Sequence, residues 1–313
     1  MKIQSFRSIM AHPVTFRLTK KGTTMAINWF PGHMHKARKE IKKIMPQMDL
    51  IIEILDARLP FSSENPLVPA LRGDTPVIKI LNKRDLADPA VTSRWLAWFE
   101  KTRGVRAITM THNQRSEAMG ILRLAAEMTP EHDRQKSALR VMILGIPNVG
   151  KSTLINTLAG RPVAKTGNEP AVTRAQQTIK LPENLLLYDT PGFLWPKLSP
   201  EACGYRLAAS GAIRSAVIEF EDVALFAADY LLDAYPEQVL KRYNLETKPA
   251  DGLALMDAIA ARRHFFRRGG IPDLHKVAEV LLNELRDGTL GQISLETPER
   301  IEREALEAIE AAR

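Results

Sequence analysis

Cysteine is almost missing from this chain: of 313 residues one is cysteine, Cys203. A lone thiol excludes an internal disulfide framework and suits a reducing compartment. Long apolar runs are missing too. None reaches the ~18 residues that span a bilayer, which excludes an integral membrane protein. Histidine is sparse, with seven in all. His33 and His35 are the one close pair, and no carboxylate spacing completes a metal-enzyme site around them. Acidic residues are absent from residues 1–24, where five basic residues sit among Ser and Thr. That is the composition of a mitochondrial presequence. The plainer reading is an upstream extension before a second start at Met25. Internal repeats and low-complexity tracts are lacking as well.

What is present is a formal charge of +8, unevenly placed. Residues 1–50 hold ten basic and two acidic residues, and the rest of the chain carries 34 of each sign. Such an excess allows a polyanionic partner without demonstrating one. The length fits two domains with a sizeable core.

Short apolar runs at Leu50–Leu55, Val77–Leu81, Val105–Met110 and Val141–Leu144 read as buried parallel strands. Helical stretches lie between them, among them Pro89–Thr102, with Asp88 as N-cap, and Ser116–Met128. The alternation predicts a doubly wound α/β sheet. Gln177–Leu181 and Leu185–Tyr188 flank Pro182-Glu183-Asn184 and read as a hairpin. From about Ser199 the pattern turns helical, with amphipathic stretches at Val217–Ala234, Pro236–Tyr243, Leu253–Arg268 and Leu274–Arg286. Pro298–Arg313 is Glu-rich and reads as a solvated helical tail.

The chemistry concentrates in three motifs. Gly145-Ile146-Pro147-Asn148-Val149-Gly150-Lys151-Ser152 fits the phosphate-loop pattern, between a strand and a helix over Gly150–Ala159. Its glycines let backbone N–H groups curl around phosphate oxygens, and the helix N-terminus adds its dipole. Val149, Gly150 and Thr153 belong to the same cradle. Lys151 is expected to reach the β- and γ-phosphates, and Ser152 to ligate Mg²⁺. Asn82-Lys83-Arg84-Asp85 follows a strand, as the guanine-reading element of GTPases does. Asp85 would accept from guanine N1–H and the 2-amino group; adenine offers neither. Asp189-Thr190-Pro191-Gly192 ends another strand. Asp189 would hold Mg²⁺ through water, and the Gly192 N–H would sense the γ-phosphate. Thr173 is the candidate switch threonine on Mg²⁺.

The order of these motifs is diagnostic. Ordinary GTPases place Asn-Lys-x-Asp last; here it comes first. Neighbouring termini permit such a circular permutation without changing the sheet. The expected fold is therefore a circularly permuted P-loop GTPase domain with a C-terminal all-helical domain.

With its motifs in this order, the sequence resembles the ribosome biogenesis GTPase A family, which has bacterial and mitochondrial members. The resemblance runs from about Ala26 to Pro298. It is carried by Trp29-Phe30-Pro31-Gly32-His33-Met34, Asp56-Ala57-Arg58, Asn82-Lys83-Arg84-Asp85, the phosphate loop, and the run from Asp189 to Lys197. It implies GTP hydrolysis, slow alone and stimulated by the ribosomal subunit, coupled to late assembly of the large subunit. It implies partners in the large-subunit precursor and its rRNA; the chain itself is expected to be a monomer. A bacterial member would be cytoplasmic; a presequence over residues 1–24 would instead direct the chain to the mitochondrial matrix. The domains expected are an extension or presequence over 1–25, the GTPase domain over 26–198, an RNA-contacting helical domain over 199–290 and an acidic tail over 291–313.

The resemblance also bears on catalysis. Phe193 stands where many GTPases have the Gln that orients water. In similar proteins the histidine of Trp-Phe-Pro-Gly-His-Met takes that role, here His33. Asn148 sits where potassium-dependent relatives ligate K⁺. Ala171 replaces the more usual Gly before Val172-Thr173. Thr111 and His112 occupy the second guanine-contact loop, though the match there is poor. For RNA, the basic stretch Lys36, Arg38, Lys39, Lys42 and Lys43 and the cluster Arg262, Arg263, Arg267 and Arg268 are the candidates. Residues 199–290 nevertheless carry 11 basic and 14 acidic residues, so RNA binding there rests on the resemblance. The competing function is a nucleotide-gated RNA-binding scaffold with little intrinsic turnover. A GTPase of tRNA modification is disfavoured by the permuted order.

Overall fold

A computed structural model describes residues 39–111, 115–164, 177–192, 194, 200–213 and 220–311. Six strands form one sheet: β1 (Leu50–Asp56), β2 (Val77–Asn82), β3 (Val105–Thr109), β4 (Leu139–Gly145), β5 (Gln177–Leu181) and β6 (Leu185–Asp189). Their spatial order is β3-β2-β1-β4-β6-β5. All neighbours are parallel except the edge pair β5–β6. Every residue of β1 and β2 is buried, which explains why these strands are rich in Val, Ile and Leu on both faces rather than alternating; the two charges inside them, Glu53 and Lys79, pair with each other. The β5–β6 hairpin turns through Glu183 and Asn184, both left-handed at φ 58° and 53°, so the expected hairpin is present with the twist such turns favour.

Register explains where the site lies. Asp56 at the end of β1 faces Asn82 at the end of β2. Ile54 faces Gly145 at the end of β4, and Ile143 faces Asp189 at the end of β6. The strand order reverses between the parallel central neighbours β1 and β4: successive strands add outward on β1's side through β2 and β3, then on β4's side. Ligands of open α/β sheets bind at the carboxyl ends of the strands at such a switch point. All three sequence motifs converge there.

The helices that follow the strands are α1 (Pro89–Glu100), α2 (Arg115–Met128) and α3 (Lys151–Ala159). Asp88 caps α1 as expected, accepting from Ala90 N and Val91 N. The remaining helices are α4 (Glu201–Ala209), α5 (Phe220–Ala234), α6 (Pro236–Tyr243), α7 (Gly252–Arg263), α8 (Leu274–Asp287) and α9 (Pro298–Ala311). Among the described residues no helix is long and apolar enough to cross a membrane.

Two expectations need correction. The helix expected to run to Arg268 stops at Arg263, because His264 turns left-handed and closes it through its N–H to the Ala261 carbonyl. A single bridge, Phe266 to Pro272, then shapes a turn around Gly269 and Gly270. The Glu-rich stretch forms a helix, but not one solvated all round: Ile301 and Ala305 are fully buried, and Arg94 on α1 pairs with Glu299 at 2.9 Å. Its acidic residues mask an apolar stripe at i, i+4 spacing. The short helices Pro60–Ser63 and Leu67–Leu71, and α4, were not foreseen.

Candidate nucleotide-binding site

The phosphate loop joins β4 to α3. A β-carbon at Gly145 would lie 2.9 Å from Val149 Cγ1 and 3.1 Å from the Ile54 carbonyl oxygen, so no side chain fits there. Asn148 and Gly150 are left-handed, at φ 59° and 98°, a backbone geometry that gathers successive N–H groups into an anion-binding concavity. No side chain caps α3 at Gly150, which leaves its first N–H groups available to phosphate oxygens. Lys151 is buried in the first turn and ion-paired with Asp189, itself fully buried. Burial lowers the Lys151 pKa, and the Asp189 carboxylate opposes that shift. Ser152 and Thr153 follow, both half-buried.

Asp189 also accepts from Gln177 Nε2 at 3.2 Å. The next residue, Thr190, anchors the turn by donating its hydroxyl to the Ile143 carbonyl at 2.8 Å. Gly192 comes close to the phosphate loop: a β-carbon there would lie 3.4 Å from both Pro147 Cα and N. Thr173, Phe193, His112 and His33 lie outside the described residues.

The guanine-reading element packs against the same loop. Asn82 donates its side-chain amide to the Val149 carbonyl at 2.7 Å. Its Oδ1 is buried without a partner among the described residues. Lys83 is left-handed, at φ 60°, and its Nζ lies 2.9 Å from Asp56 Oδ2. Asp56 also accepts from Arg58 Nη2 at 2.8 Å and Nε at 2.9 Å. Burial alone would raise the Asp56 pKa. The charges of Arg58 and Lys83 outweigh it and hold the carboxyl well below the usual range. The Arg84 guanidinium points away, to Glu117 at 2.6 Å and Thr109 Oγ1 at 3.2 Å. Glu117 also accepts from the Thr111 N–H at 3.1 Å, so one carboxylate clamps the two guanine-side loops together. The Asp85 side chain is exposed beside them.

The donor set fits a magnesium-bound nucleoside triphosphate. N–H groups and an ammonium serve the phosphates, while a hydroxyl and a carboxylate offer the hard oxygens that Mg²⁺ prefers. Glu117 and Gln177 carry no sequence signal that could have singled them out. Asp56 and Arg58 did: two opposite charges close together at the end of a buried strand are a pair in need of partners.

A second surface lies at the end of α7. Arg263 pairs with Glu284 at 3.3 Å and Arg267 with Asp273 at 2.9 Å. Arg262 and Arg268 are exposed and, among the described residues, unpaired. Phe266 and Ile271 stand 46% and 63% exposed beside them. Lys39, Lys42 and Lys43 are exposed near the start of β1; Lys36 and Arg38 lie outside the described residues.

Comparison with known proteins decides the assignment. A family model described as a 50S ribosome-binding GTPase matches residues 140–254, beginning in the strand before the phosphate loop, as a permuted domain requires. A ribosome biogenesis GTPase A from Priestia megaterium is 43% identical over 286 residues, covering 89% of this chain and 99% of that one. The Bacillus cereus protein of the same name is also 43% identical, covering 88% of this chain and 95% of that one. The chain belongs to the ribosome biogenesis GTPase A family. Among solved structures, GDP-bound YlqF is similar with a TM-score of 0.58 and 27% identity, over 83% of this chain and 99% of that one.

As a member of that family the chain is a circularly permuted P-loop GTPase with a helical C-terminal region, and it hydrolyses GTP to GDP and phosphate. Mg²⁺, when bound, neutralises charge on the β- and γ-oxygens. The protein's share of catalysis is positioning in a preorganised cradle.

Proposed function

We propose that this GTPase is an assembly factor in late maturation of the large ribosomal subunit, and that its nucleotide state controls its hold on the precursor and its rRNA. The observation that carries the reading is a link between phosphate loop and helical region. Asn148 Nδ2 donates to the Gly211 carbonyl at 3.0 Å, just beyond α4. There Arg286 of α8 donates to the Ala208 and Ala209 carbonyls, both at 2.9 Å. A shift in the phosphate loop therefore acts on the end of α4 and, through it, on α8.

In this reading Asp85 selects guanine, with Asn82, Lys83 and the 109–112 loop around the base. Lys151 and the Val149–Thr153 N–H groups hold the phosphates. Ser152, Thr173 and, through water, Asp189 serve Mg²⁺, and Gly192 reports the γ-phosphate. His33 orients the attacking water that Phe193 cannot. Asn148 Oδ1 ligates K⁺, and turnover compared in K⁺ and Na⁺ separates this from simple bracing of the loop. Arg262 and Arg268 contact rRNA. The working protein is a monomer in a bacterial cytoplasm. Phe193 also favours a second reading, a nucleotide-gated scaffold with little turnover. Turnover stimulated by large subunits, and lost in His33→Ala, favours the first reading; unstimulated, negligible turnover favours the second. The central test is co-sedimentation with large-subunit precursors in GDP and in a GTP analogue. Equal sedimentation in both would refute nucleotide control.

A further inference from the structure

The segment from Gly288 to Glu296 lies along the chain that follows the guanine-reading element, about two hundred residues away in sequence. A β-carbon at Gly288 would come within 2.8 Å of Leu86 Cδ2, so the Gly288 backbone packs directly on the Leu86 side chain. Gln292 Nε2 donates to the Asp85 carbonyl at 3.2 Å. The Ile293 N–H donates to the Leu86 carbonyl at 2.9 Å, and the Leu295 N–H to the Arg58 carbonyl at 2.6 Å. The Asp88 N–H donates to Ser294 Oγ at 3.2 Å. Residues 292–295 thus each hold Asp85, Leu86, Asp88 or Arg58.

The segment is itself firmly anchored. Ile293, Ser294, Leu295 and Glu296 are almost wholly buried. Tyr230 of α5 donates its hydroxyl to the Ser294 carbonyl at 2.7 Å, and Trp95 of α1 donates to the Glu296 carbonyl at 3.2 Å. Asp85, by contrast, sits in a single 3₁₀ turn, Arg84–Leu86. One short turn does not fix a carboxylate to the tolerance that reading two adjacent donors demands. An external brace does, and the hydrogen bond on the Asp85 carbonyl belongs to it.

We propose that residues 288–296 form a strap that aims Asp85 at the guanine edge, with Gln292 as a positioning residue for base selectivity. The inference rests on the reading that Asp85 selects guanine. It makes a C-terminal segment, remote in sequence from every GTPase motif, a determinant of which purine the protein accepts. Because Tyr230 of α5 and Trp95 of α1 hold the same strap, the helical region and the base-reading loop share one support.

The test uses the full chain and measures affinities for GDP, for IDP, which lacks the 2-amino group, and for XDP. Asp85→Asn should lose GDP and gain XDP. Failure of that exchange would overturn Asp85 as the reader, and the strap inference with it. Given the exchange, Gln292→Ala should narrow the GDP-over-IDP ratio by about three- to tenfold, the effect of losing one hydrogen bond that positions a reader. Gln292→Lys restores a donor and should recover most of the ratio. Gln292→Glu offers only acceptors and should not. Gln292 is exposed, so these variants should fold and melt like the parent. A ratio within about twofold of the parent in Gln292→Ala, alongside a working Asp85→Asn exchange, would overturn the strap alone.

Discussion

Lys83 Nζ and Asp56 Oδ2 lie 2.9 Å apart, joining the guanine-reading element to the end of β1. The partners differ in exposure: the Asp56 side chain is almost fully buried, and Lys83 is partly open. Arg58 supplies the second positive charge on the same carboxylate. Removing the carboxylate leaves the buried Arg58 uncompensated. Breaking a buried pair from one side typically costs about 3–5 kcal/mol. Asp56→Ala should lose stability on that scale in urea unfolding, and its GDP affinity should fall as Lys83 loses its anchor. The pH dependence has a defined sign. The folded pKa of Asp56 lies below its unfolded value. Its contribution is therefore complete above the unfolded pKa and is lost as pH falls toward the folded one. Asp56→Asn should flatten the acid limb of the stability profile relative to the parent.

The Lys151–Asp189 pair has a structural and a functional role that can be separated. Each partner is buried against the other. Lys151→Met or Asp189→Leu alone strands a buried charge, and each should cost about 3–5 kcal/mol. The double variant Lys151→Met/Asp189→Leu strands none, and its thermal midpoint should recover most of the loss. Nucleotide binding should not recover, since no ammonium remains for the phosphates. Fluorescent GDP titration beside calorimetry distinguishes the two. Recovery of binding in the double variant would show that Lys151 is only a structural partner.

The four arginines around α7 should not behave alike. Arg263 and Arg267 are engaged with Glu284 and Asp273, while Arg262 and Arg268 are exposed and, among the described residues, without such pairs. Charge reversal at Arg262 and Arg268 should weaken binding to large-subunit precursors and reduce the slope of log affinity against log salt by about one per lost phosphate contact. Reversal at Arg263 or Arg267 should act more through local stability, because each would face its former acidic partner. Salt titration of co-sedimentation measures the first effect and thermal melting the second.

Much of the sheet was legible because buried parallel strands are rich in Val, Ile and Leu on both faces, here with one charge in the interior of each of β1 and β2, Glu53 and Lys79, that pair with each other. Leu50–Leu55 and Val77–Leu81 are found as strands one residue longer. Each added residue, Asp56 or Asn82, is polar and belongs to the site. An apolar criterion therefore ends a strand just where its chemistry begins. Asp88 was legible because an N-cap before Pro is a local rule. Glu117, Gln177 and Gln292 were not legible. Their roles depend on partners brought near by the sheet, which no local pattern encodes. The last helix differs from the expected solvated tail because its glutamates dominate the composition, while Ile301 and Ala305 lie on its buried side.

Glu296 and Arg206 give the sharpest pH prediction. Both are buried, 3.5 Å apart. Glu296 also accepts from the Ser62 N–H at 3.0 Å, and Arg206 pairs with Glu304. Burial pushes the Glu296 pKa up, while Arg206 and Ser62 pull it back only in part. Its folded pKa therefore lies above the unfolded value. As pH rises through that interval the unfolded chain gives up its proton first, so this group's contribution to stability falls with rising pH and then levels off. Arg206→Met removes the main opposing charge, raises the folded pKa further and widens the interval. The variant should lose about 3–5 kcal/mol at pH 8, and less at pH 5, because lowering the pH favours the protonated form of a carboxyl whose pKa burial has raised. Adding Glu296→Gln should recover much of the loss at pH 8 and remove the excess pH dependence. Urea unfolding of the parent, single and double variants at the two pH values decides it. An equal loss at both values in Arg206→Met would mean that Glu296 is not the group Arg206 holds in charge.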